Sequence, residues 1–115
     1  MAKKILVVED DLNVRFTLKT LLESEGYEVL TAANGKDGLQ ALVQEPSVVL
    51  LDLMMPVANG WQFLEAQRNH EKFSKIPVAL ISGFPATSAT LGADAIIPKP
   101  LCPDRVLQTL NRLCA

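Results

Sequence analysis

Six side chains, Glu9, Asp10, Asp11, Asp52, Ser82 and Lys99, are of the types that handle phosphate and divalent cations, and each lies at or just beyond the end of an apolar, β-type run. Asp52 stands out: it interrupts Ser47-Val48-Val49-Leu50-Leu51-Asp52-Leu53-Met54-Met55-Pro56, the most apolar part of the chain, where an unpaired carboxylate is costly. Taken singly, these residues have plain readings. The acidic triplet suits the positive end of a following helix, Asp52 a turn, Ser82 a loop hydroxyl and Lys99 a solvated charge. Brought to one rim they mean more, because three carboxylates repel one another unless a cation or a lysine neutralises them. Hard oxygen ligands with room for water suit Mg²⁺, which is commonly held by one or two carboxylates plus phosphate oxygens. Phosphoryl transfer needs an in-line nucleophile, charge neutralisation and donors for the remaining oxygens, and an aspartate can itself accept phosphate as an acyl phosphate. The chain has no GxxxxGK[ST] loop, so the phosphate is not that of a nucleotide bound in the P-loop manner.

A rim of this kind requires a particular order of elements. Lys4-Ile5-Leu6-Val7-Val8 reads as a first strand, and Leu12 to Glu25 as a helix with Val14, Leu18, Leu21 and Leu22 on one face and Gly26 as its stop. Glu28 to Thr31 gives a second strand. Asn34 caps a helix through about Gln44 whose Leu39, Leu42 and Val43 are expected inside. Val48 to Leu51 is a third strand, apolar without alternation, as in a parallel sheet covered on both faces. A helix from Gly60 to about His70, strands at Pro77 to Ile81 and Ala95 to Ile97, and a last helix from Pro103 to Leu113 complete an α/β array. Right-handed crossovers make such an array an open doubly wound sheet, with its ligand site at the carboxyl ends of the strands.

Composition limits the function classes. The 115 residues suit one domain, 1–115, and 49% hydrophobic with 21% charged residues is a globular balance. Eleven basic against thirteen acidic residues give a net charge of −2, which argues against direct nucleic-acid binding. No apolar run reaches the length of a membrane span, so a cytoplasmic protein is expected. Cys102 and Cys114 lack metal-type spacing and read as ordinary small side chains. His70, the only histidine, is expected exposed and without a partner, and Trp61 and Phe63 are expected to be partly buried. Core packing explains Leu107, Leu110 and Leu113 without a dimer, so a monomer is favoured.

In order and spacing, Ile5-Leu6-Val7-Val8-Glu9-Asp10, Asp52-Leu53-Met54-Met55-Pro56 with Gly60, Ile81-Ser82-Gly83, and Gly92-Ala93-Asp94-Ala95 leading to Lys99-Pro100 resemble the receiver domains of two-component response regulators over essentially the whole chain. The resemblance implies a CheY-like, flavodoxin-like three-layer fold with strand order 2-1-3-4-5, either stand-alone or part of a larger protein. It further implies that Asp52 takes a phosphoryl group from a histidine kinase or histidine phosphotransfer protein. Asp10, Asp52 and the main-chain carbonyl of Met54 would ligate Mg²⁺, Glu9 would act through a bound water, and Ser82 and Lys99 would contact phosphoryl oxygens. The Lys99-Pro100 bond would be cis, and output would pass to a downstream protein. Such a protein is not an enzyme beyond its own phosphorylation and dephosphorylation.

Three features depart from the family. Ile96 stands where an aromatic switch residue is expected. The stretch 83–98 is shorter than the resemblance implies and poor in helix formers, so the fourth helix is expected to be shortened or absent. Met54 and Phe84 are apolar where other members often carry groups that position water, which suggests slow self-dephosphorylation. A phosphorylation-independent adaptor is the competing reading, and a flavin-binding domain of the same fold is a third that leaves the acidic cluster without a purpose.

Overall fold

The computed structural model describes residues 3–53, 60–83 and 93–114. Five strands, β1 (Lys4–Val8), β2 (Glu28–Ala32), β3 (Val48–Asp52), β4 (Val78–Ser82) and β5 (Ala95–Pro98), form one parallel sheet in the order β2-β1-β3-β4-β5. The described helices are α1 (Leu12–Ser24), α2 (Gly35–Ala41), α3 (Gly60–Arg68) and α4 (Pro103–Cys114), with a 3₁₀ turn at Leu42–Gln44. The doubly wound, five-stranded expectation is met. The expectation of a shortened or absent fourth helix between β4 and β5 falls on residues 84–92, outside those described, as do Phe84 and Met54.

Burial on both faces explains why the strand sequences do not alternate. Leu6, Val8, Val49, Leu51 and Leu80 join Phe63, Leu64 and Leu42 in one core beneath α2 and α3. Their strand neighbours Ile5, Val7, Val48, Leu50, Ala79 and Ile81 join Leu18, Leu22, Val106 and Leu110 in a second core beneath α1 and α4. All five residues of β3, Asp52 included, are buried. Fully burying an aliphatic side chain of this kind contributes roughly 1.5–3 kcal/mol.

The helix ends follow from local chemistry. Asp11 Oδ1 accepts from the Asn13 and Val14 amides at 2.8 and 3.1 Å and so caps α1. At the other end Gly26, with φ +89°, supports paired bonds from its own amide to the Glu23 carbonyl and from the Tyr27 amide to the Leu22 carbonyl. Asn34 Oδ1 caps α2 by accepting from the Asp37 amide at 2.8 Å.

Several sequence expectations need correction. The helix expected through Gln44 stops at Ala41, and the tighter 3₁₀ turn that follows leaves Val43 68% exposed rather than inside. Glu45, with φ 55°, then ends the turn. The helix expected through His70 ends at Arg68 because the buried Gln67 amide donates to the Phe73 and Ile76 carbonyls at 2.6 and 3.2 Å, curling the chain back. His70 is exposed but not without partners: it stacks on Phe73, centroids 4.3 Å apart, and Nδ1 accepts from the Lys72 amide. Phe63 is fully buried, whereas Trp61 remains 46% exposed.

Candidate functional site

Strand order creates the site. β1 pairs with β2 on one side and β3 on the other, and the crevice beyond the carboxyl ends of β1 and β3 is where the direction of winding reverses. Glu9 and Asp10 leave β1 at this point, and Asp52 is the last residue of β3. One carboxylate oxygen from each of Glu9, Asp10 and Asp52 lies within 4.8 Å of the other two. β4 delivers Ser82 to the same edge, in register with Pro98, and the Ser82 carbonyl accepts from the Lys99 amide at 2.9 Å. The Lys99–Pro100 peptide is cis, as the resemblance implies.

Environment separates the acidic groups. Glu9 is 2% exposed and Asp52 3% exposed, while Asp10 faces solvent. Burial pushes the Glu9 carboxyl up to about 8, against the opposing hydrogen bond from the Asp11 amide and with further upward pressure from Asp52 and Asp10. One Glu9 oxygen accepts from that amide at 3.1 Å; the other is buried with no hydrogen-bond donor facing it among the described residues, so that only its own proton, shared with Asp52 and Asp10, can satisfy it. A buried, unsatisfied carboxylate oxygen beside two further carboxylates is a donor set that a hard divalent cation completes. The residues present therefore fit Mg²⁺.

Lys99 supplies the fixed positive charge. Its Nζ stands 3.4 and 3.5 Å from the two Asp52 carboxylate oxygens, longer than the 2.7–2.9 Å usual for a charge-assisted hydrogen bond. The ammonium thus balances Asp52 without being locked to it, and at 42% exposure it also meets solvent. Ser82 is buried on the adjacent strand end. Ile96 is half-buried and packs on the α2/α3 side of the sheet beside Leu80, its register partner.

Asp11 does not join the cluster; it caps α1. Sequence reasoning missed Arg15, whose Nη1 donates to the Glu9 main-chain carbonyl at 2.8 Å and ties the first turn of α1 to the end of β1. Its position one helical turn beyond the cap was the available signal. An apolar groove of about 400 Å³ lies between α1 and α4, lined by Val14, Leu18, Leu21, Leu101 and Val106, and Lys99 forms part of its wall.

Comparison with known proteins agrees with this geometry. The response regulator receiver domain profile matches residues 5–111. The transcriptional regulatory protein CpxR homolog of Haemophilus influenzae is 40% identical over 102 residues, 84% of this chain but 44% of that protein. The chain thus spans about half the length of the first curated relatives it matches. Protein PilH of Pseudomonas aeruginosa is 33% identical over 97% of this chain and 98% of its own length. Among solved structures, the chemotaxis protein CheY4 of Vibrio cholerae superposes with a TM-score of 0.90 at 28% identity, covering 98% of this chain and 99% of that one. A profile match across nearly the whole length, on a fold that gathers Glu9, Asp10, Asp52, Ser82 and Lys99 at one edge, places this chain in the response regulator receiver domain family.

Proposed function

We propose that this receiver domain accepts a phosphoryl group on Asp52 from a phosphohistidine of a histidine kinase or histidine phosphotransfer protein and passes the signal on by protein contacts. The observation that carries the reading is the placement of Asp52: a buried carboxylate at a strand end, held loosely by Lys99 and within shared-ligand distance of Glu9 and Asp10. An Asp52 oxygen attacks phosphorus, the P–N bond breaks, and the histidine nitrogen leaves and regains its proton. Lys99 is free to shift from Asp52 towards the arriving oxygens, and the Ser82 hydroxyl is the donor on the neighbouring strand. Asp10, Asp52 and the Met54 carbonyl would hold Mg²⁺, with Glu9 acting through a water. When bound, the ion neutralises charge on the transferring group. The domain acts only on its own phosphoryl group and is not an enzyme in any wider sense.

No helix among the described residues is long and apolar enough to cross a membrane. The cytoplasm, where a histidine kinase presents its phosphohistidine, is the location this reading requires. Met54 and Phe84 slow hydrolysis in this proposal, so a Met54→Asn, Phe84→Glu variant should lose its phosphoryl group faster; an unchanged half-life removes that role. One observation favours a second reading: Ile96 occupies the switch position without an aromatic ring to rotate, which suits an adaptor that binds its target independently of phosphorylation.

Incubation with Mg²⁺ and a small acyl phosphate, read by intact mass, separates the two. The phosphoacceptor gains one phosphoryl group and the Asp52→Asn variant none. A folded wild-type protein that binds Mg²⁺ and gains nothing is the adaptor.

A further inference from the structure

Gly60 opens α3 directly against the end of β3. A Cβ at this position would stand 2.5 Å from Leu53 Cα, 2.6 Å from the Asp52 main-chain oxygen and 3.0 Å from the Leu53 oxygen. All three are backbone atoms, so no change of rotamer relieves the contact. At the same place the Gly60 amide donates to the Leu53 carbonyl at 3.0 Å, while Leu53 is held from the sheet side by a longer bond, 3.3 Å, from its own amide to the Ile81 carbonyl. The start of α3 is thus hydrogen-bonded to the carbonyl one peptide beyond Asp52, and its backbone lies directly against the Asp52–Leu53 peptide, whose own N–H is held by β4.

We propose that Gly60 is a positioning residue for the Asp52 centre. By carrying no side chain it lets α3 seat on the Asp52–Leu53 peptide and fixes that peptide's direction. In turn this sets the separation of the Asp52 carboxylate from Glu9, Asp10 and Lys99. The inference rests on the reading of this rim as a Mg²⁺-dependent phosphoacceptor. Mg²⁺ demands near-ideal octahedral geometry, so a displaced ligand strand lowers its affinity more than it disturbs a core.

Gly38 provides the control. A Cβ there would be nearly as crowded, 2.9 Å from Val8 Cγ2 and 3.0 Å from Phe63 Cε2, but against side-chain atoms in the core beneath α2. Calorimetric Mg²⁺ titration of wild type, Gly60→Ala and Gly38→Ala, each below its thermal transition, tests the difference. Gly60→Ala should raise the Mg²⁺ Kd on the order of tenfold or more, as loss of a group that orients metal ligands does, and slow phosphoryl uptake. Gly38→Ala should lower Tm and leave Kd alone. A folded Gly60→Ala protein with wild-type Kd, or an equal Kd shift in Gly38→Ala, overturns the inference. If Gly60→Ala does not fold, the wild-type protein decides: the Gly60 amide resonance should move during Mg²⁺ titration with the same Kd as that of Asp52, and a Gly60 resonance that stays still overturns it. Wild type that binds no Mg²⁺ overturns instead the underlying reading of the site, and this inference with it.

Discussion

Glu9 is the residue whose behaviour departs most from its sequence appearance. Its carboxyl is raised from the ordinary 4.5 to about 8 by burial first, so without a cation the folded protein holds a proton there at neutral pH. The folded state therefore binds more protons than the unfolded one between those values, and this group's contribution to stability is full below about 4.5 and is lost as pH rises through about 8. Urea midpoints measured without Mg²⁺ should fall across that window in wild type and less so in Glu9→Gln; parallel slopes would contradict the assignment. A cation beside Glu9, even across a water, favours the ionised carboxyl, so Mg²⁺ affinity should rise with pH up to about 8, with proton release visible as buffer-dependent calorimetric heats. Lys99 competes with the ion for Asp52, so Lys99→Met should bind Mg²⁺ more tightly while taking up phosphoryl more slowly. That Glu9, Asp10, Asp52, Ser82 and Lys99 lie at one edge was legible before any geometry, because each follows an apolar strand run and parallel strands share a carboxyl edge. Arg15 was less legible: its place one turn beyond the cap was the only signal, and its partner is a main-chain carbonyl, which carries no signature in sequence.

Elements were legible where one physical signal dominated. The unbroken Val48-Val49-Leu50-Leu51 run identified a strand buried on both faces, and Leu50 lies fully buried in the core beneath α1 and α4. Leu50→Ala should cost about 2–5 kcal/mol in urea unfolding. The triplet Glu9-Asp10-Asp11 divides by element, two residues at the strand end and one at the helix cap. Asp11→Ala should therefore destabilise the fold by about 1 kcal/mol yet keep Mg²⁺ affinity and phosphoryl uptake; loss of uptake in a folded variant would show Asp11 to be part of the site. Helix ends were less legible. Val43 fits the helical period of α2, but the chain tightens at Leu42 and turns it outward. Gln67 ends α3 through bonds to carbonyls six and nine residues on, a tertiary event that helix propensity does not register.

At the scale of the molecule, the function rests on topology more than on any one residue. The order β2-β1-β3-β4-β5 sets the ends of β1 and β3 side by side, and four segments far apart in sequence meet at one edge. That meeting was readable because parallel α/β sheets wind by right-handed crossovers and leave one edge for ligands. The exposure of Ile96 and the packing around Gly60 were not, because both depend on how closely neighbouring elements approach. The central claim is that Asp52, and no other carboxylate of the rim, forms the acyl phosphate. It is tested most directly by phosphorylating the protein with a small acyl phosphate and Mg²⁺, cleaving the adduct with labelled borohydride and mapping the label by peptide. Label at position 52 alone, absent without Mg²⁺, is the predicted result; label at Glu9 or Asp10, or none in a folded protein that binds Mg²⁺, would contradict it.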